Sequence, residues 1–301
     1  MSIALIDGDE IAYKIASSYQ ERCYGIYKDD KLLWRSRNRE DAIESIGNRD
    51  DLDIQLLVTS LDTTGYEKRI DEAINAIKKN TNSDSHRVYL SGNSNFRYKI
   101  ATIQPYKGNR DPSTKPSCYP IIRQELVNRG AEFLDLLEAD DLLSAYNEIL
   151  KTDNPIICSS DKDLKTVPSI NYTISSGKII EIDQDQAMHN FYYQLLVGDD
   201  TDFIPHPYQL GEVSAKAILK NLYGNSTFDY YSSIIEPYIS FLQATNKEEK
   251  YKTKWYDGRD VHDVLWEIGN LLWMHRTLDP DERWDIPKIH CQQYYLDALI
   301  G

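Results

Sequence analysis

Carboxylates recur at the ends of apolar runs in this sequence. Asp7 closes IALID, and Glu138, Asp140 and Asp141 lie in LEADD. Asp161 and Asp163 follow PIICSS, while Asp199, Asp200 and Asp202 follow LLVG. Such side chains, brought to one place, hold hard divalent cations through oxygen, and paired cations serve phosphoryl-transfer chemistry. Each stretch also has a plainer reading when taken alone. Glu138 and Asp141 would share one face of a helical turn, but acidic residues at a helix N-terminus also complement its dipole. Asp161 and Asp163 could be an N-cap and first-turn pair; flanking Lys162 just beyond a buried strand, they fit a metal role better. Gly198-Asp199-Asp200-Thr201-Asp202 could be a simple acidic turn. It leads, however, to Gly211 and the helix GEVSAKAILKNLYG, and a helix N-terminus presents N–H groups to phosphate. Asp7 by itself reads as a strand-end cap, and Asp9 as a first-turn helix residue.

For these residues to meet, the strands before them must share an edge at their C-terminal ends, as in a parallel α/β sheet. The sequence has the required alternation. SIALID reads as a buried strand and GDEIAYKIASS as a helix. CYGIYKDDKLLWRS reads as two short strands about the turn KDD, and DIQLLVTS as another strand. From Tyr66 to Lys79, Ile70, Ala73, Ile74 and Ile77 mark one helical face. RVYLSG is then a strand, CYPIIRQELVNRG a helix, AEFLDL a strand, ADDLLSAYNEILK a helix and NPIICSS a strand. INYTISSGKIIEI reads as a strand pair, DQAMHNFYYQLLVG as a helix, and the chain from about Asp183 as mostly helical, including VHDVLWEIGNLLWMHR. There is no internal repeat.

The 301 residues carry 34 Lys and Arg against 48 Asp and Glu, a net charge of -14. Taken whole, this opposes nucleic-acid binding, which needs cations to neutralise phosphate, although bound metals invert the local sign of an acidic cluster. Positive charge is concentrated in FRYKIATIQPYKGNRDPSTKP, which breaks the alternation. It holds Arg97, Lys99, Lys107, Arg110 and Lys115 with Tyr98 and Tyr106 interleaved. Such a run is usually solvated loop charge, but cations among aromatic rings also suit single-stranded nucleic acid. Cys23, Cys118, Cys158 and Cys291 have no CxxC spacing, which argues against structural zinc and a disulfide scaffold. MSIALIDGDE is unlike a signal peptide, and no apolar run reaches the ~20 residues of a membrane span. A soluble, cytoplasmic protein without membrane contact is expected.

The ordered series LIDGDEIAY, FR followed by PYKGNR, LEADDL, SSDKDL and GDDTDFIP…LG…SA resembles the 5′-nuclease superfamily, which includes flap endonucleases and the 5′→3′ exonucleases of tailed phages. The resemblance runs from Asp7 to about Ala217 and is closest to the phage branch. It implies a PIN-like parallel sheet flanked by helices over 1–182, with a helical arch at about 96–120. A mostly helical DNA-binding region, carrying a helix–three-turn–helix module, would follow over 183–301. It further implies two Mg2+ or Mn2+ ions, the first on Asp7, Glu138 and Asp140, the second on Asp141, Asp161, Asp163, Asp199 and Asp202. Lys107 and Arg110 would be catalytic, reaching the scissile phosphate. Tyr106 would stack on the terminal base, and Arg97, Lys99, Gly211 and Ser214 would bind substrate. The C-terminal module holds K+ in some members. The implied partner is DNA with a 5′ end, nick or flap, extending to RNA–DNA hybrids, and the implied activity is 5′→3′ exonuclease with flap endonuclease in replication, repair or recombination. In the phage branch the host cytoplasm is the setting.

The sequence also departs from this pattern. Ser91 stands where a first-metal Asp is expected, and Phe203, His206, Gln209 and Val213 replace residues usual in the module. These departures leave two rival readings, a branched-DNA binder without catalysis and a PIN-type ribonuclease. PYKGNR and the downstream module weigh against the ribonuclease.

Overall fold

A computed structural model describes residues 1–47, 49–207, 210–247, 259 and 261–285. Gln209 and Cys291 therefore lie outside the described residues. The chain packs into two compact units: residues 1–7, 76–111 and 131–301, and residues 8–75 and 112–130. Both sides of the expected boundary at 182–183 fall in the first unit, whereas the expected arch is divided after Asp111.

The first unit is built on a six-stranded sheet. Its strands are β1 (Ile3–Asp7), β5 (Ser85–Asn95), β6 (Glu132–Leu136), β7 (Pro155–Cys158), β8 (Ser169–Thr173) and β9 (Lys178–Ile182). The order is β6-β5-β1-β7-β8-β9, parallel throughout except for β9, which runs antiparallel to β8. β1 is buried at every position, as its unbroken apolar run requires of a central parallel strand. From β1 the chain builds outward through β5 and β6, then returns to β7 on the other side. That reversal opens a crevice at the C-terminal strand ends, where open α/β sheets bind their ligands.

Helix α6 (Ala139–Ile149) lays Leu142 and Leu143 on the sheet core with Leu5, Tyr89 and Ile157. A second core joins α7 (Gln184–Val197), α8 (Glu212–Leu219), α9 (Thr227–Lys247) and α10 (Val261–Leu272) through Leu195, Leu219, Tyr230, Tyr238 and Ile268. After β5 comes the single turn α4 (Arg97–Ile100), and no further α-helix follows before Tyr119. Where a helical arch is expected, Pro105, Pro112 and Pro116 each remove a backbone donor and block helix propagation.

The second unit contains α1 (Gly8–Ser17), α2 (Arg39–Ile46), α5 (Tyr119–Asn128) and the antiparallel sheet β3-β2-β4. Its strands are β2 (Gln20–Lys28), β3 (Lys31–Ser36) and β4 (Asp53–Ser60). Asp29 and Asp30 turn the β2–β3 hairpin with φ of 47° and 61°, the left-handed pair that two-residue hairpins favour. Helix α3 (Tyr66–Thr81) crosses the division between units. The strand readings of residues 23–36 and 53–60 thus stand, but these strands form a sheet of their own.

Candidate metal and phosphate site

All the acidic stretches except Asp9 belong to the first unit and converge at the C-terminal edge of its sheet. Asp7 ends β1 and accepts a hydrogen bond from Ser159 Oγ at 2.9 Å. Glu138 caps α6, placing Asp140 and Asp141 in its first turn. The Glu138 N–H donates to Asp141 at 3.0 Å, closing a reciprocal capping box. Asp161 follows β7 and accepts from the Asp163 N–H at 2.8 Å, which folds the chain into the 3-10 turn Asp163–Thr166. The fourth stretch is closed by the Asp199–Ile204 bridge, with backbone bonds of 3.0 and 2.7 Å. Gly198 makes that turn possible. Its φ is +63°, and a Cβ there would lie 2.5 Å from the Ile204 carbonyl oxygen.

These carboxylates feel one another. Burial drives the Asp140 pKa well above the usual range, and the charges of Asp161, Asp7 and Glu138 add to the shift. Asp140 Oδ1 is buried with no hydrogen-bond partner. Burial likewise raises Asp161, with Asp202 and Asp199 contributing. It lifts Asp163 to about 8, helped by Asp161 and Asp199. Negative charge confined in this way is what a bound cation relieves.

The basic loop supplies cations to the same edge. Lys107 Nζ pairs with Glu138 and lies 3.4 Å from Asp202, and Arg110 pairs with Asp202. Burial alone would lower the Lys107 pKa, but the two carboxylates hold it above its ordinary value. Asp202 is depressed despite its burial, chiefly by the Lys107 charge. Lys162 lies 3.0 Å from Asp199. With the loop cations on Glu138 and Asp202, no group of three His, Cys, Asp or Glu side chains among the described residues is arranged to hold a metal ion. The chemistry of the set, all oxygen with a partnerless buried Asp140 atom, nevertheless fits hard divalent cations better than zinc.

Other expected site residues sit differently. Asp141, expected to serve the second metal, is 0% exposed, and Arg97 donates to its two oxygens at 2.7 and 2.8 Å. Arg97, expected to bind substrate, is 1% exposed and also donates to the carbonyls of Leu271 and Trp273. Its charge is spent within the protein, because a buried guanidinium needs a counter-ion. Tyr106, expected to stack on a base, is 3% exposed, and its single hydroxyl lies within hydrogen-bond distance of both Glu138, at 2.8 Å, and Asp202, at 2.6 Å. The neighbouring Tyr98 is 59% exposed and meets Tyr106 edge-on. Lys99 and Arg110 are exposed. Gly211 is the N-cap of α8, and Ser214 is exposed on its first turn. Ser91 accepts from the Ala139 N–H at 3.1 Å and so helps cap α6. Within the second unit, Tyr119 donates to Asp9 at 2.6 Å. Ser159, Gln194, which donates to Asp163, and Asn109, which donates to the Asp200 carbonyl at 2.7 Å, carry no signal of their own in the sequence.

No family model matches the sequence, and no curated protein matches it. Solved structures match in fold. A bacteriophage T5 protein co-crystallised with metal ions aligns at a TM-score of 0.56 and 14% identity, covering 90% of this chain and 89% of the other. The T5 5′-exonuclease with bound zinc gives 0.55 and 15%, with 90% and 89% covered. A T5 flap endonuclease in a pseudo-enzyme–product complex with DNA and metal ions gives 0.53 and 14%, with 90% and 91% covered. By its six-stranded, mostly parallel sheet and its flanking helices, this chain shares the fold of these T5 5′-exonuclease structures.

Proposed function

We propose that the protein is a divalent-metal-dependent 5′ nuclease on DNA, a 5′→3′ exonuclease with flap endonuclease activity. The observation that supports this reading above all is the meeting of Asp7, Glu138, Asp140, Asp161, Asp163, Asp199 and Asp202 with Lys107 and Arg110 on one sheet edge. Asp7, Glu138 and Asp140 would hold one Mg2+ or Mn2+, and Asp161, Asp163, Asp199 and Asp202 the other. Cations held there would supply positive charge against the phosphate oxygens and would lower the pKa of a nearby water. Lys107 and Arg110 exchange their carboxylate partners for the scissile phosphate and stabilise its charge. Arg110, half-exposed, meets the phosphate first, and Lys107 follows from its more buried position. Tyr98 and Lys99 offer a ring and a cation to the strand entering the site. The N–H groups around Gly211 and Ser214 suit a duplex phosphate. Asp141 acts through Arg97, holding the loop base.

The test is a panel of 5′-labelled flap, nicked duplex and single-stranded RNA in Mg2+. Flap and nicked DNA should be cut from the 5′ side, and Asp161→Asn should abolish cutting. Cleavage of RNA alone would favour a PIN-type ribonuclease, and tight flap binding without turnover in Mg2+ or Mn2+ a non-catalytic binder.

A further inference from the structure

Glu267 is a buried carboxylate remote in sequence from every acidic stretch above. It lies on α10, is 1% exposed, and faces the start of the basic loop. Its Oε1 accepts from the N–H groups of Thr102 at 2.7 Å and Ile103 at 2.8 Å. Its Oε2 accepts from Thr102 Oγ1 at 2.6 Å and lies 2.7 Å from Arg259. Arg259 in turn donates to Thr102 Oγ1 at 2.8 Å. Both carboxylate oxygens are thus spent on two consecutive loop residues. An ionised carboxylate accepts several N–H and O–H donors at once, and charge-assisted bonds of this kind are about twice as strong as neutral ones.

What those residues carry is the chemistry. From Ile103 the chain turns directly into Tyr106, Lys107 and Arg110. Lys107 has a φ of 55°, a left-handed conformation a lysine holds only when its surroundings fix it. The loop tip is fixed by the turn bearing the acidic residues: the Lys107 N–H donates to the Asp202 carbonyl at 2.8 Å, and Gln104 donates to the Phe203 carbonyl. The preceding turn is fixed by Arg97, bound to the carbonyls of Leu271 and Trp273 at the end of α10. Glu267 and Arg97 therefore tie the loop base to one helix, with the loop side donating in every bond.

We propose that Glu267 is a positioning residue for nuclease action, setting the register of the basic loop so that Lys107 and Arg110 reach the carboxylate edge. This rests on the nuclease reading above. It assigns α10, beyond the family resemblance, a part in placing the cations. Glu267→Gln keeps the shape, but removes the charge and turns an amide N–H2 toward other donors. Three measurements test it. Hydrogen exchange should rise in residues 101–110 and stay unchanged in β1 and β7. Turnover on a 5′ flap should fall about a hundredfold, the scale for a small displacement of a reacting group, with KM little changed. In a Lys107→Ala, Arg110→Ala double variant Glu267→Gln should cost no further turnover, because the groups it positions are gone. Thr102→Val, a milder change at an exposed residue, should show the same pattern with smaller size, and it serves if Glu267→Gln fails to fold. Unchanged exchange over 101–110, exchange rising equally in β1 and β7, or losses that multiply when Glu267→Gln is added to the double variant would each overturn the proposal. The exchange arm is read without substrate, so an inactive wild type would count against the nuclease reading and not against loop positioning.

Discussion

At the scale of single residues, two buried charges have opposite relations to their surroundings. Asp140 is confined among like charges, with Oδ1 unbonded, a cost that a cation at the proposed site would recover. In chelator, Asp140→Asn should melt a few degrees above wild type, the shift expected of about 1 kcal/mol in a domain of this size. Added Mn2+ should raise the wild-type midpoint by more than that of the variant, which keeps only the second proposed site; a thermal scan with and without Mn2+ decides it. Arg97 is the reverse case, satisfied by Asp141 and two carbonyls. Arg97→Ala strands a buried carboxylate and should destabilise the fold by about 3–5 kcal/mol. Arg97→Met with Asp141→Asn should restore much of that loss in urea unfolding. An Arg97 that served only DNA would cost less than about 1 kcal/mol. The sequence could not separate these roles. LEADD shows three acids but not which one faces an arginine about forty residues earlier, and FRYKI gives no sign that its arginine points inward.

At the scale of elements, the acidic residues are placed by strand ends and tight turns. β1 and β7 were legible as short, wholly apolar runs, and helix α6 as a capped amphipathic segment. The meeting of Asp7, Asp140 and Asp161 follows once those strands lie parallel and adjacent. β2, β3 and β4 were legible as strands but not as a separate sheet, because alternation fixes which face is buried and not which strands pair. The form of the loop 101–118 was hidden for another reason. Its cations and rings suggested contact with nucleic acid, whereas its path depends on Glu267 and Arg97, whose partners lie more than 160 residues away. The turn 198–204 makes the sharpest prediction at this scale. Gly198→Ala forces a Cβ against the Ile204 carbonyl at positive φ, so stability should fall by about 1–3 kcal/mol. Because Asp199 and Asp202 ride on that turn, Mn2+ affinity should fall with it. Calorimetric titration of the purified variant reads the second effect, and unchanged affinity would separate the turn from the metal site.

At the scale of the whole molecule, a chain of net charge -14 can act on another polyanion, as proposed, only by dividing its charge. The acids are concentrated where cations join them, and the exposed positive groups of one loop stand beside them, so the field that a phosphate meets at the site differs from the average over the surface. No helix among the described residues is long and apolar enough to cross a membrane. The fold shared with the T5 exonuclease rests on 14–15% identity, too little to carry an activity over by likeness, so the residues themselves must decide. The most direct test is single-turnover cleavage of a 5′-flap DNA in Mg2+, comparing wild type with Asp161→Asn and Lys107→Ala. The account predicts 5′-side cleavage that chelation abolishes, and a loss of about a hundredfold or more in each variant. Cleavage that persists in chelator, or that both variants sustain at the wild-type rate, would contradict it.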